Sequence, residues 1–146
     1  MHLNRAFALA LLVLLARPSA AAPAAIQTKQ DTRALAESVM KLVVADKIDA
    51  AFGLLQPHWR LPANEIDTVV TKTVAMRNTV SDRFGPTVGY SFVREESVGD
   101  FLVRYTYVER RTNIPLRWVF VFYQVDGKWW VNGATWDDGV STLFGQ

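Results

Sequence analysis

The feature that most constrains the fold is a change of hydrophobic period at Gly85-Pro86. Before this pair, apolar residues recur every three or four positions, which is the spacing of one helix face. After it, Val88, Tyr90 and Phe92 alternate with other residues at the period of a strand. Glycine followed by proline is a strong helix stop. The chain therefore divides into a helical first half and a β second half, which predicts an α+β fold.

Three helices are predicted in the first half. The first begins near residue 31, with Asp31 or Thr32 as its N-cap. The second covers residues 48–55 and ends before Pro57. The third follows Pro62, with Asn64 as a cap, and continues to Phe84. We expect the third helix to bury one stripe of side chains: Ile66, Val69, Met76 and Val80.

Four strands are predicted in the second half, over residues 88–93, 101–108, 116–125 and 128–136. Asp126-Gly127 is the sharpest turn signal, because a two-residue hairpin needs positive φ at both positions. The third strand is apolar on both faces, which predicts a central position in the sheet. The predicted architecture is three N-terminal helices packed on a curved four-stranded antiparallel sheet.

The N-terminus has the pattern of a secretory signal peptide. Arg5 precedes an apolar run at 6–16, and small residues then allow cleavage after Ala21 or Ala24. Eleven apolar residues are about half of the roughly 20 that a membrane-spanning helix needs. We therefore expect a periplasmic or secreted protein without a membrane anchor after cleavage. The predicted organisation is a signal peptide at 1–22, a flexible lead at 23–30 and a single domain at 31–146.

Composition argues against several classes of function. The chain has no cysteine, which excludes a lipid-anchored lipoprotein, disulfides and thiol catalysis. Its formal charge of +2 is due to Arg5 and Arg17 in the predicted signal peptide, and no basic cluster larger than Arg110-Arg111 is present. We therefore expect no nucleic-acid partner. His58 is the only histidine after that segment, so we predict no metal site and no cofactor.

Two segments resemble the nuclear transport factor 2-like (NTF2-like) superfamily, a cystatin-like α+β fold found in many secreted bacterial proteins. Residues 46–55 are similar to the break between the first two helices of that family, and Asp126-Gly-Lys-Trp-Trp-Val131 is similar to its final hairpin. The resemblance covers about residues 31–138. It implies a cone with a pocket between the helices and the concave sheet, and often a dimer through the convex face. It does not imply one activity.

The alternation of strands two to four places a set of aromatic residues on one sheet face. If this face is the concave one, it forms a pocket that suits a flat apolar ligand. The alternative is that the same side chains fill the core and leave no pocket. The predicted ligand-binding residues are Tyr105, Tyr107, Trp118, Phe120 and Trp129.

Few residues are candidates for catalysis. An isomerase of the ketosteroid type needs a carboxylate base and a phenol donor in the cone. Asp137 or Asp100 is a candidate base, with Tyr105 or Tyr107 as donor. The alternative for Asp137 is a solvated strand exit. His58 is suited to acid-base chemistry, but its place in the connection after the second helix favours a loop or capping role.

The opposite sheet face carries both charged and apolar residues, which predicts a dimer or partner interface. Its residues are Arg104, Arg117, Tyr123 and Trp130. The alternative is that the arginine stems and the tail at 140–144 shield this face.

Three functional hypotheses remain. The first is an exported, non-catalytic NTF2-like protein that binds a small apolar ligand or a protein partner in the cell envelope. The second is a ketosteroid-isomerase-like or dehydratase-like enzyme. The third is a structural component of an envelope assembly, with a solid core.

Overall fold

The protein is an α+β domain. The computed structural model describes residues 22–144, apart from the side chain of Val80, so nearly all of the predicted signal peptide lies outside the described residues. The elements are α1 Lys29–Val44, α2 Ile48–Leu55, α3 Ala63–Phe84, β1 Thr87–Val98, β2 Leu102–Arg111, β3 Leu116–Val125 and β4 Lys128–Asp137. Two 3₁₀ helices were not predicted, at Gln56–His58 and, after the sheet, at Val140–Leu143, so the helix count differs from the prediction.

The four strands form one curved antiparallel sheet in the order β1-β2-β3-β4. The hairpin predicted at Asp126-Gly127 is confirmed, with φ of 52° and 70° at these two residues. The register of the β1–β2 pairing shifts between Phe92 and Arg94 of β1. The register of the β3–β4 pairing shifts between Val121 and Phe122 of β3. Such irregularities increase the local twist of a sheet.

Helix α1 begins earlier than predicted. Thr28 is the N-cap: its hydroxyl accepts from the amide of Asp31, and the Asp31 carboxylate accepts from the amide of Thr28. The predicted caps Asp31 and Thr32 are therefore wrong, because Asp31 occupies the third helical position of a capping box. Thr32 is buried beside Tyr105.

The N-cap and the buried stripe of α3 also differ from the prediction. Pro62 is the residue before the helix, and Asn64 lies inside it without capping it. Met76 is 55% exposed, so its predicted burial is wrong. Thr73 and Arg77 are buried instead, in phase with Ile66 on the same helix face. The predicted burial of Val80 falls on a side chain outside the described part of the chain.

The core lies between the helices and one face of the sheet, called here the inner face. Helix α1 contributes Ala36, Val39, Met40 and Val43, and α2 contributes Phe52 among others. The sheet contributes mainly aromatic side chains from β2 and β3. The opposite side of the sheet is called the outer face.

The segment predicted as a flexible lead is instead tied to the sheet. Ile26 and Trp129 exchange two backbone hydrogen bonds of 2.9 Å each, and the Ile26 side chain is buried in the core. The amide of Ala24 also donates to the carbonyl of Pro57. Within residues 22–144, none of the helices combines the length and apolar character needed to cross a bilayer.

Candidate functional site

The predicted ligand-binding residues all lie in the packed core. Tyr105, Tyr107, Trp118 and Phe120 are 0% exposed, and Trp129 is 4% exposed. Trp118 stacks on Phe120 with a centroid distance of 6.1 Å, and Tyr107 meets Phe120 edge-on at 5.9 Å. A side chain with no accessible surface touches no cavity large enough to hold a water molecule. A ligand therefore cannot enter among the first four without displacing them.

The phenol groups on the inner face have partners within the protein. The Tyr105 hydroxyl lies 2.9 Å from the Thr32 hydroxyl and donates to the Lys29 carbonyl at 3.2 Å. Tyr107 donates to the Glu37 carboxylate at 3.1 Å. Tyr90 donates to the other Glu37 oxygen at 2.7 Å. These phenols are therefore not free to hold the oxyanion of a substrate.

Burial raises the pKa of all three tyrosines. For Tyr90, burial together with the hydrogen bond to Glu37 raises the pKa to about 12. Burial is also the main cause that raises the pKa of Tyr105 and of Tyr107. Each phenol therefore remains neutral at physiological pH.

Asp137 does not face the core, which contradicts its role as a base inside the cone. It pairs across the outer face with Arg117, whose Nε and Nη2 donate to its two oxygens at 3.0 and 2.6 Å. This hydrogen bonding from Arg117 is the main cause that lowers the pKa of Asp137. The sequence could not reveal this pairing because it depends on strand register.

Asp100 lies in the exposed turn between β1 and β2. It borders a cavity of about 490 Å³, together with Lys29 and Trp129. In the orientation that satisfies both ends of its amide, Gln124 accepts from the Trp129 indole at 3.1 Å and donates to the Asp100 carbonyl at 3.3 Å. The structure thus brings together two candidates, Asp100 and Trp129, that the sequence analysis assigned to different roles.

His58 lies where a structural role was expected. Its Nδ1 donates to the carbonyl of Ala24 at 2.6 Å, in the last turn of the Gln56–His58 helix. This bond fastens the segment before α1 to the end of α2. Among residues 22–144, no three histidine or acidic side chains are grouped so that they could hold a metal ion.

A buried ionic cluster, which was not predicted from the sequence, surrounds Glu109. Glu109 is 0% exposed, and Arg77 Nη1 and Nη2 donate to its two oxygens at 2.8 and 3.2 Å. Arg111 Nη1, the Thr87 hydroxyl and the Trp118 indole donate to the same carboxylate at 2.9, 2.6 and 2.9 Å. We call these five residues the Glu109 cluster.

Two opposing effects act on the pKa of Glu109. Burial is the largest and raises it, but hydrogen bonds and charge from Arg77, with further bonds from Thr87 and Trp118, outweigh burial and lower the pKa. Glu109 is therefore ionised at neutral pH. A signal for this cluster was present in the sequence, because Glu109 is in phase with Tyr105 and Tyr107 on the inner face.

A cleft of about 750 Å³ borders the Glu109 cluster. It lies between the end of α1, the second half of α3, the start of β1 and the end of β2. Arg77 and Arg111 form part of its wall, and Asp46 and Asp82 lie at its edge. Asp46 accepts from Arg77 Nη2 at 3.3 Å.

The outer face has a covered half and an open half. The covered half is crossed by the Val140–Leu143 helix: Arg94 donates to the Leu143 carbonyl at 3.2 Å, and Arg117 donates to the Thr142 hydroxyl. This agrees with the alternative that the tail shields part of the face. Trp130 lies toward the other end of β4, where it pairs with Tyr123, and the Arg60 guanidinium lies 3.8 Å from the centroid of its ring.

The open half contains a groove of about 210 Å³. Val98, Leu102 and Val121 form its apolar part, and the pair of Glu96 with Arg104 forms its charged edge. Tyr123 pairs with Leu102 in the sheet and is 42% exposed. Of the predicted interface residues, Arg104 and Tyr123 therefore lie on the open half.

Comparisons with known proteins do not add to this description. No protein family, no curated protein and no solved structure matches the chain.

Proposed function

We propose that this chain is an exported, non-catalytic NTF2-like protein that serves as an assembly component of the cell envelope. The observation that carries the proposal is the filled inner face, where Tyr105, Trp118 and Phe120 have no accessible surface. A protein with a solid cone works through its surface. The proposed export rests on the N-terminal sequence pattern.

The two other hypotheses have less support. An enzyme of the isomerase type needs a carboxylate beside a free phenol donor, whereas Asp137 pairs with Arg117 on the outer face. A small apolar ligand in the cone would have to displace core side chains such as Tyr107 and Phe120, which are fully buried. Displacing packed side chains costs free energy that the ligand would have to supply.

The surface that best fits assembly is the open half of the outer face, and its proposed occupant is a second copy of this chain. In a two-fold dimer, the same patch contacts itself, so it must carry groups of both signs that can meet their opposites on the copy. Here Glu96 lies between two arginines: Arg104 Nη2 is 2.8 Å from its Oε1, and Arg94 Nε is 3.1 Å from its Oε2. In such a dimer, each Arg104 can also reach the partner's Glu96. The apolar groove beside this pair supplies surface to bury.

The test compares two substitutions on β1. Val98 and Val88 are both 60% exposed, but Val98 borders the groove and Val88 lies near the other end of the strand. We expect the mature chain to sediment as a dimer, the Val98→Asp variant as a folded monomer with an unchanged circular-dichroism spectrum, and the Val88→Asp variant as a dimer. A monomeric mature chain, or a Val98→Asp variant that stays dimeric, would overturn the proposed interface.

A second measurement tests the filled cone. The mature chain is purified from the periplasm, extracted with organic solvent, and the extract is analysed by mass spectrometry. We expect no apolar molecule in a stoichiometric amount. One apolar molecule per chain would contradict a solid core and favour the ligand-binding hypothesis. Failure of the chain to reach the periplasm would contradict the proposed export.

A further inference from the structure

The cleft beside the Glu109 cluster has the size of a ligand site. Its volume of about 750 Å³ lies within the range of roughly 300–1,000 Å³ that is typical of small-molecule sites. Its walls are mostly polar and come from four separate segments of the chain. It lies apart from the groove on the outer face, with which it shares no lining residue.

Arg111 presents an unused hydrogen-bond donor to this cleft. Its side chain is 6% exposed, with Nε donating to the Gly85 carbonyl at 2.7 Å and Nη1 donating to Glu109 at 2.9 Å. Nη2 makes no hydrogen bond with residues 22–144. It is not fully enclosed, so it keeps some accessible surface. Since Arg111 forms part of the cleft wall, Nη2 is available to a ligand there.

The charges beneath the cleft do not balance. Arg77 and Arg111 are both almost fully buried and share one buried carboxylate, that of Glu109. One positive charge is therefore left over among the buried groups. Asp46 compensates part of it, but its side chain is 82% exposed and water screens its charge. A bound anion would neutralise the remaining charge directly.

The edge of the cleft limits which anion fits. Asp46 and Asp82 add negative charge at the edge, so a dianion such as phosphate meets repulsion there. An ammonium group, by contrast, is attracted to the same carboxylates. We propose that the cleft binds a zwitterionic ligand, whose carboxylate accepts from Arg111 Nη2 and whose amino group faces Asp46 and Asp82. Such a ligand is a free amino acid or a short peptide.

Calorimetric titration of the mature chain tests this ligand class. The probes are glycine, triglycine, acetate and inorganic phosphate. We expect glycine or triglycine to bind saturably and about tenfold more tightly than acetate, which lacks the amino group. Tighter binding of triglycine identifies a peptide, and tighter binding of glycine a free amino acid. The proposal is overturned if acetate or phosphate binds as tightly as either, or if no probe binds.

Two substitutions on α3 locate the site without changing the buried cluster. Ser81 lines the cleft and is exposed, so Ser81→Trp fills the cleft from its edge. Thr79 is also exposed on α3 but does not line the cleft, which makes Thr79→Trp the matched control. We expect Ser81→Trp to abolish binding and Thr79→Trp to preserve it, with similar melting temperatures. Unchanged affinity in Ser81→Trp would place the ligand elsewhere and overturn the assignment.

A third variant tests the role of the edge carboxylates. Asp82 is exposed and forms no ion pair within residues 22–144, so Asp82→Asn should not affect folding. We expect this change to reduce the preference for glycine over acetate by about threefold, the effect of one exposed ion pair. A preference that stays the same would overturn the assigned orientation of the amino group.

Discussion

The two ends of the sheet use the same pair of groups in opposite surroundings. At Glu109 the carboxylate accepts two bonds from Arg77 inside the core, whereas at Glu96 it accepts two from Arg104 on the outer face. The first pair has almost no accessible surface, and in the second the side chains are 38% and 49% exposed. The geometry is similar, but only the buried pair has lost its water.

Burial changes what each pair contributes. An exposed pair gains little free energy, because water screens its attraction and the side chains lose freedom. A buried pair must replace the water of both ions, so each lost partner leaves a charge without compensation. The additional donors to Glu109 from Arg111, Thr87 and Trp118 fit this requirement. Similar contacts in a structure therefore predict very different effects of substitution.

The largest effect is expected from Glu109→Gln. This change leaves Arg77 and Arg111 without a buried carboxylate, which should lower the free energy of unfolding by about 3–5 kcal/mol. Urea denaturation of the mature chain measures it. The control is Glu96→Gln on the outer face, which should cost less than about 1 kcal/mol. Equal losses in the two variants would refute the distinction between the pairs.

Acid should destabilise the protein partly through Glu109. Its pKa in the folded state is below the ordinary value of 4.5, so its stabilising effect is full above that pH and is lost as pH falls through the folded pKa. Denaturation curves at pH values from neutral down into this range should therefore show falling stability. In Glu109→Gln the decline should be shallower. The same slope in both proteins would mean that other carboxylates are responsible.

A smaller loss is expected from Thr87→Val. The Thr87 hydroxyl donates to Glu109 at 2.6 Å, and valine has a similar shape without the donor. Because hydrogen bonds to charged groups contribute about 1.5–3 kcal/mol, and Glu109 keeps its other donors, we expect a loss of about 1.5 kcal/mol. Urea denaturation measures the loss, with Thr79→Val on the exposed side of α3 as control. No difference between the two variants would show that the bond to Thr87 is dispensable.

The smallest effect is expected from Asp137→Asn. Its pair with Arg117 lies on the outer face, where the Asp137 side chain is 41% exposed, so the loss should be below about 1 kcal/mol. Thermal unfolding checks this. A much larger loss would mean that the Val140–Leu143 helix, which Arg117 also contacts, depends on this pair for its position.

The order of the elements was predictable because hydrophobic period records which side of an element is buried. The residues at which the elements end were less predictable. Strand β1 continues to Val98, beyond the predicted residue 93, although Arg94, Glu95 and Glu96 look like a loop in sequence. These charges are tolerated because β1 is an edge strand, with pairing that shifts at Phe92 and Arg94.

The candidate site was less predictable than the fold, for a physical reason. A charged residue in a strand or helix is normally exposed, so the phase of Glu109 with Tyr105 and Tyr107 was not enough to predict its burial, and Arg77 was not predicted to be buried either. Each is buried only because the other is present, on an element distant in sequence. The pairing of Asp137 with Arg117 likewise depends on strand register, which single-sequence patterns do not determine.

The bridge between Ile26 and Trp129 has a consequence for the order in which the chain acquires its structure. It joins the segment before α1 to the last strand, so it cannot form until β4 has been synthesised. An emerging chain that lacks its final hairpin therefore leaves Ile26 unpaired, together with the core position that its side chain fills. In the export that we propose for this chain, such a late closure would delay completion of the native state until the whole chain is available.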